Sequence, residues 1–362
     1  MVVVGGGYAG LACLLGLRRT MRDAELLLID PGSDHLKMTH LHETVRRPLR
    51  RFRLPYAQLG QRFGFVHRRG AADLTDVERV AGESSLEIDG DKQGFDHLVI
   101  ATGARPPVLP KSETVYDRDD LRQQDAGDLV DDFLADGSRP RDVTVIGGGP
   151  SGVQFLFELA DRFARSNKPV RLRLVDREPV LLAGYPAGIG SYTQQKLSAA
   201  GIEYLPQTDY VDCSEHAITL GDSSGAEFTM PSGLTFLFAG VSPSPAVARA
   251  DRYGRVAGHD NIFAAGDCAR YDARGDDAMT AQIAVRQGKL VAQNIDRVSR
   301  GVRLLEYSFR ELGYVLSLGP IDAVGWLLLK EKVVSGLPAF AIKEVVEAQY
   351  DLFVSGLDTY VI

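Results

Sequence analysis

Three β-branched residues, Val2-Val3-Val4, run straight into Gly5-Gly6-Gly7-Tyr8-Ala9-Gly10. Such a run suits a strand buried on both faces of a parallel sheet. Gly5, Gly7 and Gly10 fit the spacing G-x-G-x-x-G, and the apolar stretch Leu11-Ala12-Cys13-Leu14-Leu15-Gly16-Leu17 reads as a helix. Gly5 allows a tight turn, Gly7 lets the backbone approach a pyrophosphate, and Gly10 lets helix and strand pack closely. The free N–H groups of the helix's first turn, at Tyr8 and Ala9, then face the phosphates. A second apolar strand, Leu26-Leu27-Leu28-Ile29, ends on Asp30, about 20 residues after the last glycine, where a carboxylate accepts hydrogen bonds from a ribose. A bare glycine turn is weak evidence; strand, turn, helix and acid in this order specify a dinucleotide site.

The same unit recurs. Val143-Thr144-Val145-Ile146 leads into Gly147-Gly148-Gly149-Pro150-Ser151-Gly152, then the helical segment Val153–Ala160, then the strand Arg171–Val175 ending on Asp176. Leu234–Gly240 reads as the strand that closes this second unit at Gly240. An acid at Asp176 fits a free ribose 2′-hydroxyl and repels a 2′-phosphate. This favours NADH over NADPH, a preference that the neighbouring Arg177 weakens.

With 362 residues the chain exceeds one ordinary core. The repeat implies an α/β fold: two Rossmann-like dinucleotide-binding domains, one inserted in the other, with a C-terminal α+β region. The boundaries read as 1–110 with 241–300 for the first domain, 111–240 for the second, and 301–362 for the C-terminal region. A net charge of −7 argues against a dedicated nucleic-acid binder. Met1 leads directly into the first strand, so no signal peptide is expected, and no apolar run approaches the roughly 20 residues of a membrane span. Cys13, Cys213 and Cys268 are too scattered for a disulfide framework, which points to a reducing, cytoplasmic setting.

Between the repeats lie further signals. His35, His40 and His42 follow the turn at Pro31–Asp34; packing or cofactor contact explains them better than a metal, since no ligand pattern accompanies them. Arg46, Arg47, Arg50, Arg51 and Arg53 admit two readings, a solvated face or a contact to phosphate. Phe63–Val66 and Leu86–Asp89 read as strands of a small meander with turns at Gly82 and Gly90. The strand His97–Ile100 ends in Ala101-Thr102-Gly103 before Pro106, small residues that let the chain pass close to a cofactor. Ile262–Ala265 delivers Gly266-Asp267 to a turn before a helix, where an Asp can bind the polyol of a flavin. Cys268 beside it is a packing residue or a redox thiol. Ala278–Gly288 reads as a helix with Gln282 and Arg286 on one face and Ala281 at the same end.

Two glycine motifs, Ala-Thr-Gly before a proline, and Ala-Gly-Asp-Cys before a helix, occur in that order. The chain therefore resembles the FAD-dependent pyridine nucleotide oxidoreductases over nearly its whole length. It lacks the paired cysteines of the disulfide reductases. The closer likeness is to type II NADH dehydrogenases and the apoptosis-inducing-factor-like NAD(P)H:quinone oxidoreductases. Thr280–Gly288 resembles that family's quinone-site helix, and Leu316–Gly325 and Ile342–Val354 resemble its C-terminal region. The resemblance implies FAD along Gly5, Gly7, Gly10, Asp30, Thr102, Gly103 and Asp267. It implies NAD(P)H along Gly147, Gly149, Gly152 and Asp176. Hydride would pass from nicotinamide to flavin, and electrons onward to a quinone near Gln282 and Arg286.

Two positions depart from the family. Gln154 stands where a Glu usually contacts the nicotinamide region; its oxygen can accept from the carboxamide but carries no charge. Arg286 stands where a second Gln is usual, and a fixed cation there favours an anionic reduced flavin or an acidic acceptor. These departures leave two alternatives to the quinone reductase: an oxidoreductase acting on a soluble small molecule, and a flavin-based redox sensor without turnover. The stretch Trp326-Leu327-Leu328-Leu329 with Lys330 and Lys332 suits a membrane interface, a cover over the flavin or a homodimer contact. Peripheral attachment to the inner membrane face follows from the first. Tyr360–Ile362 reads as a last strand or a tail.

Overall fold

The protein is described here from a computed structural model, which covers residues 1–166, 168–243, 248–272, 278–309 and 311–359. The Val2–Val4 run forms the centre of a five-stranded sheet, in the order Ile262–Ala264, Leu98–Ile100, Val2–Val4, Leu27–Asp30, Val66–Arg69, every pair parallel. Val2, Val3 and Val4 are 2%, 0% and 5% exposed. That full burial is why the strand carries no polar alternation. The glycine turn hands the chain to helix α1, Tyr8–Thr20.

The second repeat builds the same object. Its sheet runs Val115–Asp117, Leu234–Leu237, Asp142–Ile146, Arg171–Val175, Glu203–Leu205, again all parallel. Helix α2, Pro150–Arg165, follows its turn with a proline in the first helical turn, where the missing N–H costs nothing. The chain therefore leaves the first sheet after Leu98–Ile100, completes the second, and returns to add Ile262–Ala264 at the first sheet's edge.

Helix α3, Ala281–Ser299, then packs along α1. A Cβ at Gly288 would lie 2.2 Å from Ala9 O, and one at Gly16 would lie 2.7 Å from Ala292 Cβ, so small residues set this close crossing. Gly313–Ser317, Ala323–Leu327 and Leu329–Ser335 form an antiparallel sheet, followed by helix α4, Leu337–Val354. This region joins both units. Leu316, Val324 and Trp326 enter the core of the second sheet, while Tyr350, Phe353 and Val354 enter the core around α1.

Several local expectations are corrected. Phe63 ends a helix, Tyr56–Phe63, and Gly64 closes it in the left-handed conformation at φ +67°. The strand starts at Val66 and pairs with Leu27–Asp30, so it belongs to the main sheet and not to a meander. Gly82 lies inside the helix Val77–Glu83, which Asp76 caps through the Arg79 N–H at 2.9 Å. Gly90 does turn the hairpin Ser85–Ile88/Asp91–Gly94. No helix follows Asp267 directly: Ala269–Tyr271 pairs with Ala248–Ala250. The helix opens only at Ala281, because Thr280 takes the N-cap and accepts from Ile283 N, leaving Ala278 and Met279 outside. Tyr360–Ile362 lie outside the described residues.

Candidate functional site

The two turns match at their three motif glycines. Gly5 and Gly147 have φ of +100° and +107°, and a Cβ on them would strike the carbonyls of Ala101 and Phe238 at 2.2 and 2.3 Å. Gly10 and Gly152 bring helix onto turn: their Cβ atoms would lie 1.9 and 2.0 Å from Gly5 O and Gly147 O. A Cβ on Gly7 or Gly149 would meet nothing within 4 Å. Each of these glycines is the N-cap of its helix and offers no side-chain cap, so the helix N–H groups open onto that space. Two cradles, each at a positive helix end with its donors unclaimed by side chains, fit two diphosphates.

The acids at the second strands behave alike. Asp30 accepts from Gly6 N at 2.6 Å and Gly32 N at 2.7 Å. Asp176 accepts from Glu178 N at 3.4 Å and also bonds the Gly148 N–H. Burial raises the Asp176 carboxyl above its ordinary range. Arg177 Nε lies 3.8 Å from Asp209, and its charge opposes the rise at Asp176.

Gly103 and Gly240 occupy equivalent places after the closing strands, at φ +73° and +84°. Gly266, at φ +82°, gives its N–H to Gln287 Oε1 at 2.7 Å and so presents Asp267 beyond the strand Ile262–Ala264. Burial raises the Asp267 carboxyl, with Arg118 and Arg270 opposing. Cys268 is wholly buried, its Sγ 3.6 Å from Ile100 O and Ala265 O, and burial raises its pKa. That is an inert packing thiol. Ala281 opens α3, with Gln282 and Arg286 half-buried one turn apart. The Arg286 guanidinium lies over the Phe309 ring at 5.2 Å, and its buried Nε has no hydrogen-bond partner among the described residues.

Gln154 differs from expectation. Its Oε1 accepts from Ser317 N at 3.1 Å and from the Ser317 hydroxyl at 3.3 Å, and that hydroxyl also meets His42 Nε2 at 3.0 Å. A backbone N–H needs an acceptor, so the oxygen is the atom engaged with Ser317. The oxygen that the sequence position offers as an acceptor is thus engaged by Ser317.

The arginine run is largely paired. Arg46 and Arg47 hold Glu43 at 3.1 and 3.0 Å, Arg46 Nε holds the buried Glu158 at 2.7 Å, and Arg53 holds Asp34 at 2.5 Å. Arg50 and Arg51 are exposed. Neither His35 nor His42 is available as a ligand: both are buried and hydrogen-bonded. His40, Glu43 and Glu347 bring three ligand atoms within 4.8 Å of one another. Arg46, Arg47 and Lys343 already neutralise those carboxylates, so the cluster is an ion-pair network. Glu158 and Ser317 were not legible as site residues, since only the fold brings them to Arg46 and Gln154.

A profile of the pyridine nucleotide-disulphide oxidoreductase family matches residues 1–288. The type II NADH:quinone oxidoreductase of Staphylococcus aureus is 27% identical over 395 residues, covering 99% of this chain and 96% of that protein. Among solved structures, the sulfide:quinone oxidoreductase of Aquifex aeolicus superposes with a TM-score of 0.81 at 18% identity, over 99% of this chain and 92% of the other. NDH2 of Plasmodium falciparum, solved with NADH, superposes with a TM-score of 0.80 at 14% identity, over 96% and 94%.

Proposed function

Because the chain belongs to the pyridine nucleotide-disulphide oxidoreductase family, we propose that it is an FAD-dependent NAD(P)H:quinone oxidoreductase. The observation that carries this reading is the pair of matched, donor-lined cradles at Gly7 and Gly149. FAD is held at the first turn by Asp30, with Thr102, Gly103 and Asp267 along its length, and NAD(P)H at the second by Asp176. Residues 1–110 with 241–300 form the flavin unit, 111–240 the nicotinamide unit and 301–362 the C-terminal region. Bound flavin supplies the two-electron chemistry, taking hydride and passing electrons on; the protein supplies position and charge. Gln154 offers its amide N–H to the nicotinamide side, held by Ser317. Gln282 and Arg286 line the acceptor side, where the Arg286 cation stabilises negative charge on a reduced acceptor. Sulfide oxidation is not proposed: Cys13, Cys213 and Cys268 are all free, in α1, the strand Thr208–Cys213 and the turn after Ile262–Ala264.

Anaerobic mixing of the purified flavoprotein with NADH is expected to bleach the flavin, and a quinone is expected to restore it. A flavin that NADH and NADPH both leave oxidised rejects the donor half of the reading. The Arg286 Nε, without a hydrogen-bond partner among the described residues, favours a second reading, a soluble acidic acceptor. Reoxidation by such acceptors and not by quinones selects it.

The hairpin tip at Leu327, Leu328 and Leu329 is 41%, 63% and 49% exposed, beside Lys330 and Lys332. No described helix is long and apolar enough to cross a membrane. We read the tip as a peripheral contact with an anionic bilayer, leucines into the acyl boundary and lysines at the headgroups. Wild-type protein should co-sediment with anionic vesicles and Leu328→Asp should not; equal sedimentation refutes the contact.

A further inference from the structure

The carbonyl of Gly6 is gripped by two side chains. Tyr56 Oη donates to it at 2.9 Å and His35 Nδ1 at 3.0 Å, while the Gly6 N–H goes to Asp30 at 2.6 Å. His35 is 1% exposed, and its Nε2 lies 2.8 Å from Tyr350 Oη, on α4, 315 positions away in sequence. A carbonyl only accepts, so His35 Nδ1 carries the hydrogen; neutral Nε2 is then the acceptor, and Tyr350 donates. The rings pack as a cluster: His35 stands edge-on to Tyr8 at 5.0 Å, and Tyr350 lies 4.8 Å from Tyr8. Asp351, next on α4, pairs with Lys37.

The Gly6 carbonyl and the Gly7 N–H belong to one rigid trans peptide unit, so they point in opposite directions. Fixing the carbonyl therefore aims the Gly7 N–H. The second turn does this with backbone alone: Gly148 O accepts from Leu182 N at 3.3 Å. Among the described residues, only the first turn has a clamp that reaches the C-terminal helix.

We propose that Tyr350, acting through His35, is a positioning residue for the first phosphate turn, so that docking of α4 and retention of FAD reinforce each other. This rests on the reading that FAD occupies that turn. Coupling of this kind is reciprocal: whatever α4 contributes to FAD affinity, FAD returns to α4.

The test is FAD release from the holoenzyme, followed by the rise of free-flavin fluorescence, in wild type, Tyr350→Phe, His35→Ala and the double variant. Tyr350→Phe keeps the ring and removes the hydrogen bond to His35, so release about three- to ten-fold faster is expected. In the His35→Ala background, Tyr350→Phe should add nothing, because the route through His35 is already cut. Amides of α4 should exchange more slowly with FAD bound in wild type and lose that protection in His35→Ala. Unchanged release from Tyr350→Phe, or additive effects in the double variant, overturns the inference while leaving FAD at the turn. A wild-type protein that takes up no FAD overturns the reading of the turn itself, and the inference with it.

Discussion

Replacing Gly152 by alanine is expected to slow reduction by NADH at least about 100-fold while leaving FAD in place. The added Cβ would sit 2.0 Å from Gly147 O and 3.4 Å from Phe238 Cβ. The first contact is with backbone, which cannot rotate away as a long side chain does. Helix α2 must lift from its strand, carrying the Ser151 and Gly152 N–H groups and Gln154 with it. Displacements near 1 Å at a positioned donor cost about 100-fold in rate, and hydride transfer should slow by at least that much. The first turn lies on a separate sheet and keeps Gly5, Gly7, Gly10 and Asp30 unaltered. The flavin-to-protein ratio should match wild type and dithionite should still reduce the flavin fully. Stopped-flow reduction by NADH within about threefold of wild type would show that the second turn is not where the nucleotide binds.

What could be read from sequence was whatever repeats or is local. The paired turns, both buried central strands and both terminal acids follow from spacing, because a phosphate turn needs its parts within one strand–helix unit. The cap at Gly64 and the helix around Gly82 were misread for a different reason. Short polar segments carry little periodicity, and a parallel edge strand such as Val66–Arg69 declares itself only through its partner Leu27–Asp30. The arginine run was half legible: Glu43 lies three and four positions before Arg46 and Arg47, a helical pairing distance. Its link to Glu158 crosses from one unit to the other and has no local signature. The same holds for Ser317 on Gln154 and Tyr350 on His35, contacts 163 and 315 positions apart in sequence. The chemistry was therefore legible to the level of cofactors, and the groups that aim it were not.

Acidification from neutrality to about pH 5 is expected to cost the folded protein about 4 kcal/mol, because two buried histidines must stay neutral. Burial pushes His35 down to about 4 from 6.5, and burial with Lys343 nearby pushes His42 down to about 3. Below pH 6.5 the unfolded chain binds protons at both positions and the folded chain does not. Each histidine therefore withdraws about 1.4 kcal/mol per pH unit until its folded value is reached. Glu43 works in the same direction at lower pH. Burial alone would raise it, but its hydrogen bond from His40 and the surrounding cations bring it to about 2, so its stabilisation fades between 4.5 and 2. Glu158, raised by burial, opposes weakly, since the folded state holds its proton more readily. A loss near 4 kcal/mol is a large share of the roughly 5–15 kcal/mol that holds a domain folded. The melting temperature of the holoprotein should fall steadily between about pH 7 and pH 5, and the slope should flatten in His35→Asn/His42→Asn. His35 and His42 join the first turn to α4 and α2 to the C-terminal sheet, so flavin release should accompany the fall. A melting temperature level across that range, or the same slope in the double variant, would mean that these imidazoles titrate freely and are not the acid-sensitive joints of the fold.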